Sequence, residues 1–291
     1  RRDQEKKVLL VRVPWCVRLD RGVLEFRDKR LLRRPMAGIE SLTYSRLGDT
    51  WTLNYLDGKW SVAGQPEIAL DQNKVRELLG LFNNPVITDF VKSPVPAGFD
   101  LKPFGLNPPK ARVIFKFNEG ASFQADVGTD KDKYDFVLTS EPSQLVKISA
   151  ADSVKFTNQR LDILRDRKGP FAFNKSLVKR IEVEGPEGLT VLEGEGESWK
   201  VSQKPKDEVQ IGGEIGASLL TKLAALEVAE FLDSKKELIP KFTHFVRLKE
   251  AGGAVVFELK VGPAQKRKTE TRTRTLATVQ SSLLPGALIT I

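Results

Sequence analysis

The stretch IESLTYSRLGDTWTLNYLDGKWSVAGQP, residues 39–66, is written a second time as VKRIEVEGPEGLTVLEGEGESWKVSQKP, residues 178–205. In both, two short runs of alternating apolar and polar residues lead to a Gly-containing turn, a Trp, a Val two residues on, and a Pro. Trp60 and Trp199 lie 139 residues apart, as do Pro66 and Pro205. Alternation marks half-buried strands. A period this long exceeds any solenoid unit, so it predicts whole domains in tandem.

Past each Pro the spacing becomes helical. Asp71 can cap a helix whose apolar positions are Val75, Leu78, Leu79 and Phe82, and Asn83, Asn84 and Pro85 stop it. In the second copy Ile215, Leu219, Leu220, Leu223 and Leu226 take that spacing, behind Gly212 and Gly213 in place of a clear cap. Short runs then end in Asp89-Phe90 and Glu230-Phe231. A Pro/Gly-rich connection leads the first copy to VIFKF (113–117), and the second resumes at Val246 and Leu248. FQADVG (123–128) and FELKVG (257–262) match at Phe, Val and Gly. Closing strands are expected at LVKIS (145–149) and ALITI (287–291).

A partial echo sits at the front, where LEFRDKRLL from Leu24 matches LDILRDRKG from Leu161. The first segment therefore reads as the tail of an earlier repeat, either cut from a longer array or completing the last copy's sheet. The expected organisation is 1–37 N-terminal segment, 38–174 first repeat and 175–291 second repeat. Hairpin-length connections favour antiparallel meanders, so each copy is predicted to be α+β, one principal helix covering a mostly antiparallel sheet.

The chain's 291 residues suit two domains, and 40% apolar residues argue against disorder. A single cysteine, Cys16, excludes a disulfide framework. No run of 18 apolar residues is present to span a bilayer. The chain begins at Arg1 without a signal-like run, which suggests a processed form or a fragment. Its net charge of +9 is uneven: residues 1–36 hold twelve Lys/Arg against five Asp/Glu, and 260–276 hold six against one. Such concentration suits an acidic partner, an anionic lipid surface or, more plainly, protected strand edges.

Chemistry is sparse. His244 is the sole imidazole, lies in a strand-like run and lacks a nucleophile elbow; Cys16 reads as a packed small residue. Asp130, Asp132, Asp135 and Glu141 faintly suggest a calcium loop, but Asp135 stands where the turn needs Gly. Gly212, Gly213 and Gly216 open a helix without the Lys-Ser/Thr of a phosphate loop. Glu193, Glu195 and Glu197 alternate with Gly in an expected exposed turn. No cofactor or metal motif emerges. The basic run KRKTETRTRT contains no aromatic residue, which disfavours single-strand nucleic acid. Trp51, Trp60 and Trp199 are expected to pack under the helices.

The Trp60-Ser-Val…Pro66 unit with its helix, the GLNPPKARVIF run from Gly105, the ADVG turn ending at Gly128 and the LVKIS strand before LDILRDR together resemble the bacterial domain of unknown function 4340 family. The second copy lacks the GL-x-x-P element. The resemblance covers nearly the whole chain and implies a noncatalytic role at the periplasmic face of a bacterial cell envelope. It further implies a tether outside this chain, and protein partners among ABC-type transport or gliding-motility components. It supplies no functional residue. From charge alone, Arg27, Lys29, Arg30, Arg33 and Arg34 form the expected partner or anion contact, with Arg272 and Arg274 second. The alternative function is binding of an anionic polymer or nucleic acid by basic strand edges.

Overall fold

A computed structural model describes residues 23–46, 48–129, 135–205, 212, 214–232, 241–268, 273–283 and 288–290. The chain divides into two compact units, Arg1–Leu164 and Arg165–Ile291. The division falls ten residues before the 174/175 break expected from the repeat.

The first unit contains strands β1 (Ile39–Arg46), β2 (Asp49–Leu56), β3 (Lys59–Val62), β4 (Asp89–Lys92), β5 (Ala111–Phe117), β6 (Ser122–Thr129), β7 (Asp135–Ser140) and β8 (Ser143–Ile148). They form one sheet in the order β3-β2-β1-β5-β6-β7-β8-β4. The second unit contains β9 (Arg180–Gly185), β10 (Gly188–Glu195), β11 (Ser198–Gln203), β12 (Glu230–Leu232), β13 (His244–Lys249), β14 (Val255–Lys268), β15 (Thr273–Ser281) and β16 (Leu288–Thr290). Their order is β11-β10-β9-β13-β14-β15-β16-β12. Every strand pairing is antiparallel. The second order is the first with each strand advanced by eight places, so the sequence repeat is a repeat of topology. The fold is mostly β, with few helices.

Period decides which side chains enter each core. Along β5, Val113, Phe115 and Phe117 are buried, while the first-unit helix Gln72–Asn83 contributes Val75, Leu78, Leu79 and Phe82 to the same cluster. Asp71 caps that helix, accepting hydrogen bonds from the backbone N–H groups of Asn73 and Lys74. The second-unit helix Ile215–Ala224 buries Gly216, Leu220 and Leu223, and its N-cap Glu214 makes no side-chain cap bond. Ile215, expected on the buried face, is instead 46% exposed. Gly216 takes that place because the Trp199 indole lies against it: a Cβ there would sit 2.2 Å from Trp199 Cγ. Gly216 is thus a packing residue within the helix.

The Pro/Gly-rich connection of the first unit is a cover. Val95, Phe99, Leu101, Phe104 and Leu106 pack on Phe136 and Leu145, on the sheet face opposite the helix. Gly105 and Gly128 make this close approach feasible, since a Cβ on Gly128 would lie 2.5 Å from the carbonyl oxygens of Phe104 and Gly105. Gly128, expected to end a turn, lies inside β6 opposite Phe136. In the second unit the corresponding face carries ion pairs: Arg247 with Glu184 and Glu258, and Lys249 and Arg180 with Glu182.

The front echo is also structural. Helix Val23–Phe26 precedes Arg27, whose guanidinium lies 3.5 Å from the Phe90 ring centre; helix Leu161–Leu164 precedes Arg165, at the same 3.5 Å from the Phe231 ring. Ile87 N–H donates to Lys29 O at 2.8 Å, and Val228 N–H donates to Arg167 O at 2.9 Å. Each RD-x segment clasps the strand carrying the Phe at the sheet's far edge. Leu31 and Leu32, just beyond, are buried in the first core. The described part of the N-terminal segment is therefore built into the first unit.

Candidate functional site

In the first unit the β2–β3 hairpin, the turn before β1 and the helix enclose a recess of about 630 Å³, within the range of ligand sites. Asp57 and Gly58 carry the hairpin turn at φ +50° and +80°, a conformation whose twist suits antiparallel strands. That turn sets Tyr55 opposite Trp60, with ring centres 5.2 Å apart. Trp60 is buried, whereas Tyr55 is 45% exposed at the rim. Met36, Ala37 and Ile39 form the wall from the turn, and Gln72, Arg76, Leu79 and Gly80 form the helical wall.

The polar groups of this recess are unequally committed. Gln72 Oε1 accepts from Trp60 N–H at 2.8 Å, and its Nε2 donates to Trp60 O at 3.0 Å and Leu70 O at 3.2 Å. Arg76 is exposed and, among the described residues, donates to the neutral side chain of Asn73. Gly80 is inside the helix, where glycine costs about 0.5–1 kcal/mol relative to alanine. No crowding requires it, because a Cβ there would meet nothing within 4 Å. Gly80 faces the open space of the recess.

The second unit has a recess of about 360 Å³ in the same place, between Lys175 and Ser176, the hairpin residues Glu195, Gly196 and Glu197, and the helix residues Ala217, Leu220 and Thr221. The strand registers align the two: Tyr55 opposes Trp60 as Gly194 opposes Trp199, and Leu56 opposes Lys59 as Glu195 opposes Ser198. At the same 139-residue offset Met36 corresponds to Lys175, Ala37 to Ser176 and Gly58 to Glu197. Among the described residues, one backbone recess thus has a mostly apolar lining with a single guanidinium in the first unit and an ionic lining in the second.

The basic residues expected to meet a partner are largely engaged within the chain. Arg27 lies over Phe90, Arg30 and Arg33 pair with Asp28, and Arg34 grips Glu141 with two hydrogen bonds of 2.7 and 3.3 Å. The Arg30 side chain, and then its backbone N–H, hold the Asp28 carboxyl down at about 2. Lys29 is exposed. Arg274 stands on β15 opposite Arg267, and Arg272 lies outside the described residues. Two of the five, Arg27 and Arg34, tie the front segment to the rest of the unit, while Arg30 and Arg33 pair within the segment itself.

Other candidates resolve locally. His244 opens β13, exposed, with Nδ1 3.0 Å from Thr243 Oγ1. Asp135 accepts from Thr129 Oγ1 at 2.7 Å, while Asp130, Asp132, Gly213 and Cys16 lie outside the described residues. Among the described residues there is no cluster of three or more metal-ligating side chains, and no helix long and apolar enough to cross a membrane. Glu193 and Glu195, expected in a turn, are strand residues paired with Arg180 and Lys179. Burial opposes ionisation of Glu182, but hydrogen bonds from Lys249 and Arg180 outweigh it and leave the carboxyl below its usual value. A group so held is a poor proton donor near neutral pH. Trp199 and Trp60 meet their helices as expected; Trp51 stacks on Tyr44 with ring centres 5.0 Å apart.

The recess itself was not read from the sequence. Its signals were an aromatic residue beside the hairpin turn at Tyr55 and a glycine at position 80 within an otherwise regular helix. Comparison of the chain with models of known protein families, with curated proteins and with solved structures yields no match.

Proposed function

We propose that this chain is a noncatalytic binding or scaffolding module of a bacterial cell envelope, working at its periplasmic face with an ABC-type transport system. The observation that carries the binding role is the duplicated recess, present in both units at one place with linings that have diverged in chemistry. We read each unit as an α+β domain with Gln72–Asn83 and Ile215–Ala224 as principal covering helices, supported by the apolar faces they bury. The resemblance to the domain of unknown function 4340 family supports the envelope setting, and its glycine motifs are spent on packing Gly105 against Gly128. The internal pairing of Arg30, Arg33 and Arg34 favours the recess over a basic contact patch.

A photoreactive residue placed at Tyr55 tests the role in bacterial cells producing the chain. The expected result is a discrete adduct with an envelope protein, with none from Val154, which is exposed on another helix. Equal labelling from both positions, or none from Tyr55, would reject the binding role.

A further inference from the structure

We infer that the recess of the first unit receives a short acidic peptide segment, its carboxylate on Arg76 and an apolar side chain over Leu79. This rests on the reading of the chain as a binding module and names the chemistry of its partner. Among the described residues, Arg76 is the one cation in the lining. A guanidinium can grip a carboxylate with two parallel hydrogen bonds, and such a charged pair is stronger than its present bond to the neutral Asn73 amide. The Gln72 amide is already bonded to the Trp60 backbone, so the helix offers little to a neutral polar ligand.

Apolar contact comes from the other walls. Trp60 and Tyr55 supply flat aromatic surface at low conformational cost, with Met36 and Leu79 completing the slot. Tyr55, 45% exposed at the rim, carries aromatic surface out of the recess. That continuation suits a chain passing through, and it would be wasted on a small enclosed ligand. The second unit supplies the contrast: Lys175, Glu195 and Glu197 together line the equivalent recess, and Glu195 is paired with Lys179, so its lining mixes both signs of charge.

The test is selection from a randomised hexapeptide library on the immobilised chain, with one set carrying free C-terminal carboxylates and one set amidated. Selected peptides are then measured by fluorescence anisotropy. Enrichment of sequences joining a carboxylate to Leu, Ile or Phe is expected, weakened at least about tenfold by Arg76→Gln or by Gly80→Leu, which fills the recess. Arg76→Glu should turn the selection toward Lys- and Arg-bearing peptides. Enrichment confined to the free-acid set would identify a chain terminus as the partner, and enrichment in both sets an internal Asp or Glu. Selection of uncharged or basic peptides by the unaltered protein, or affinities indifferent to Arg76→Gln, would overturn the inference. If Gly80→Leu does not fold, as judged by thermal melting, the two Arg76 variants decide. Adducts from Tyr55 in cells with no acidic selection would leave the binding role standing and remove only the ligand class.

Discussion

The side chain of Gln72 occupies, against Trp60, the place a neighbouring strand would take. β3 is an edge of the first sheet, and its outward N–H and C=O at Trp60 are both bonded by that one amide, at 2.8 and 3.0 Å. An unpaired edge is a template for association with another chain, and here the first residue of the helix closes it. The same contact fixes the helix over the hairpin and so sets the width of the recess.

Gln72→Ala should therefore lower stability by about 1–2 kcal/mol, because it leaves two half-buried backbone groups of Trp60 without protein partners. Urea unfolding measures the loss. Light scattering should also show greater self-association, through the exposed edge of β3.

Two helix glycines should respond oppositely to the same substitution. Gly80→Ala meets open space and should raise stability by about 0.5–1 kcal/mol through helix propensity. Gly216→Ala gains the same propensity but drives a methyl into the Trp199 indole, and should lower stability by about 1–3 kcal/mol. Thermal melts of the two variants compare them directly, and a shared sign would contradict the packing described.

Gly128→Ala should be more damaging than either, because its Cβ would strike two backbone carbonyl oxygens that no side-chain rotation can move. The covering loop would lift from Phe136 and Leu145. Proteolysis between residues 93 and 110 should become rapid while β1–β3 stay protected in hydrogen exchange.

Replacing Arg27, Lys29, Arg30, Arg33 and Arg34 together by glutamate should destabilise the first unit, contrary to what a free contact patch would do. Arg27 over Phe90 alone is worth about 0.5–2 kcal/mol. Arg27→Ala and Arg165→Ala should each reduce stability, since both arginines clasp the phenylalanine of a far-edge strand. Unchanged unfolding midpoints in all three variants would refute the clasp.

Acid should loosen the front segment. The Asp28 carboxyl lies at about 2 in the folded chain, against an ordinary 3.8, chiefly through the side chain of Arg30. A depressed folded value means the unfolded chain binds the proton first, so the contribution is complete above about pH 4 and is lost as pH falls through about 2. Asp28→Asn should flatten the pH dependence of the urea midpoint in that window. An identical slope in the variant would show that Asp28 takes no part.

Much of the architecture was legible because it is local. Val113, Phe115 and Phe117 announced a strand by alternation; Asp71 and the spacing of Val75, Leu78, Leu79 and Phe82 announced a capped helix. Ile215 misled because apolar spacing alone cannot register that Gly216 admits the Trp199 ring and turns the helix about its axis. The pairing within the basic cluster was illegible for a related reason. Arg34 finds Glu141 across 107 positions of sequence, and net charge reveals nothing about such pairing.

The amino-acid sequence by itself determined that there are two like halves, where their hairpins and principal helices lie, and most of the residues that face inward, since hydrophobic period and turn chemistry act over a few residues. Only the tertiary structure decided that β5 inserts beside β1 and β4 crosses to the far edge beside β8, that the Gly105 loop roofs the second face, and that Met36, Tyr55 and Arg76 meet around one recess. Those outcomes depend on contacts between residues distant in the chain, and their energy exists only once the sheet has closed them together.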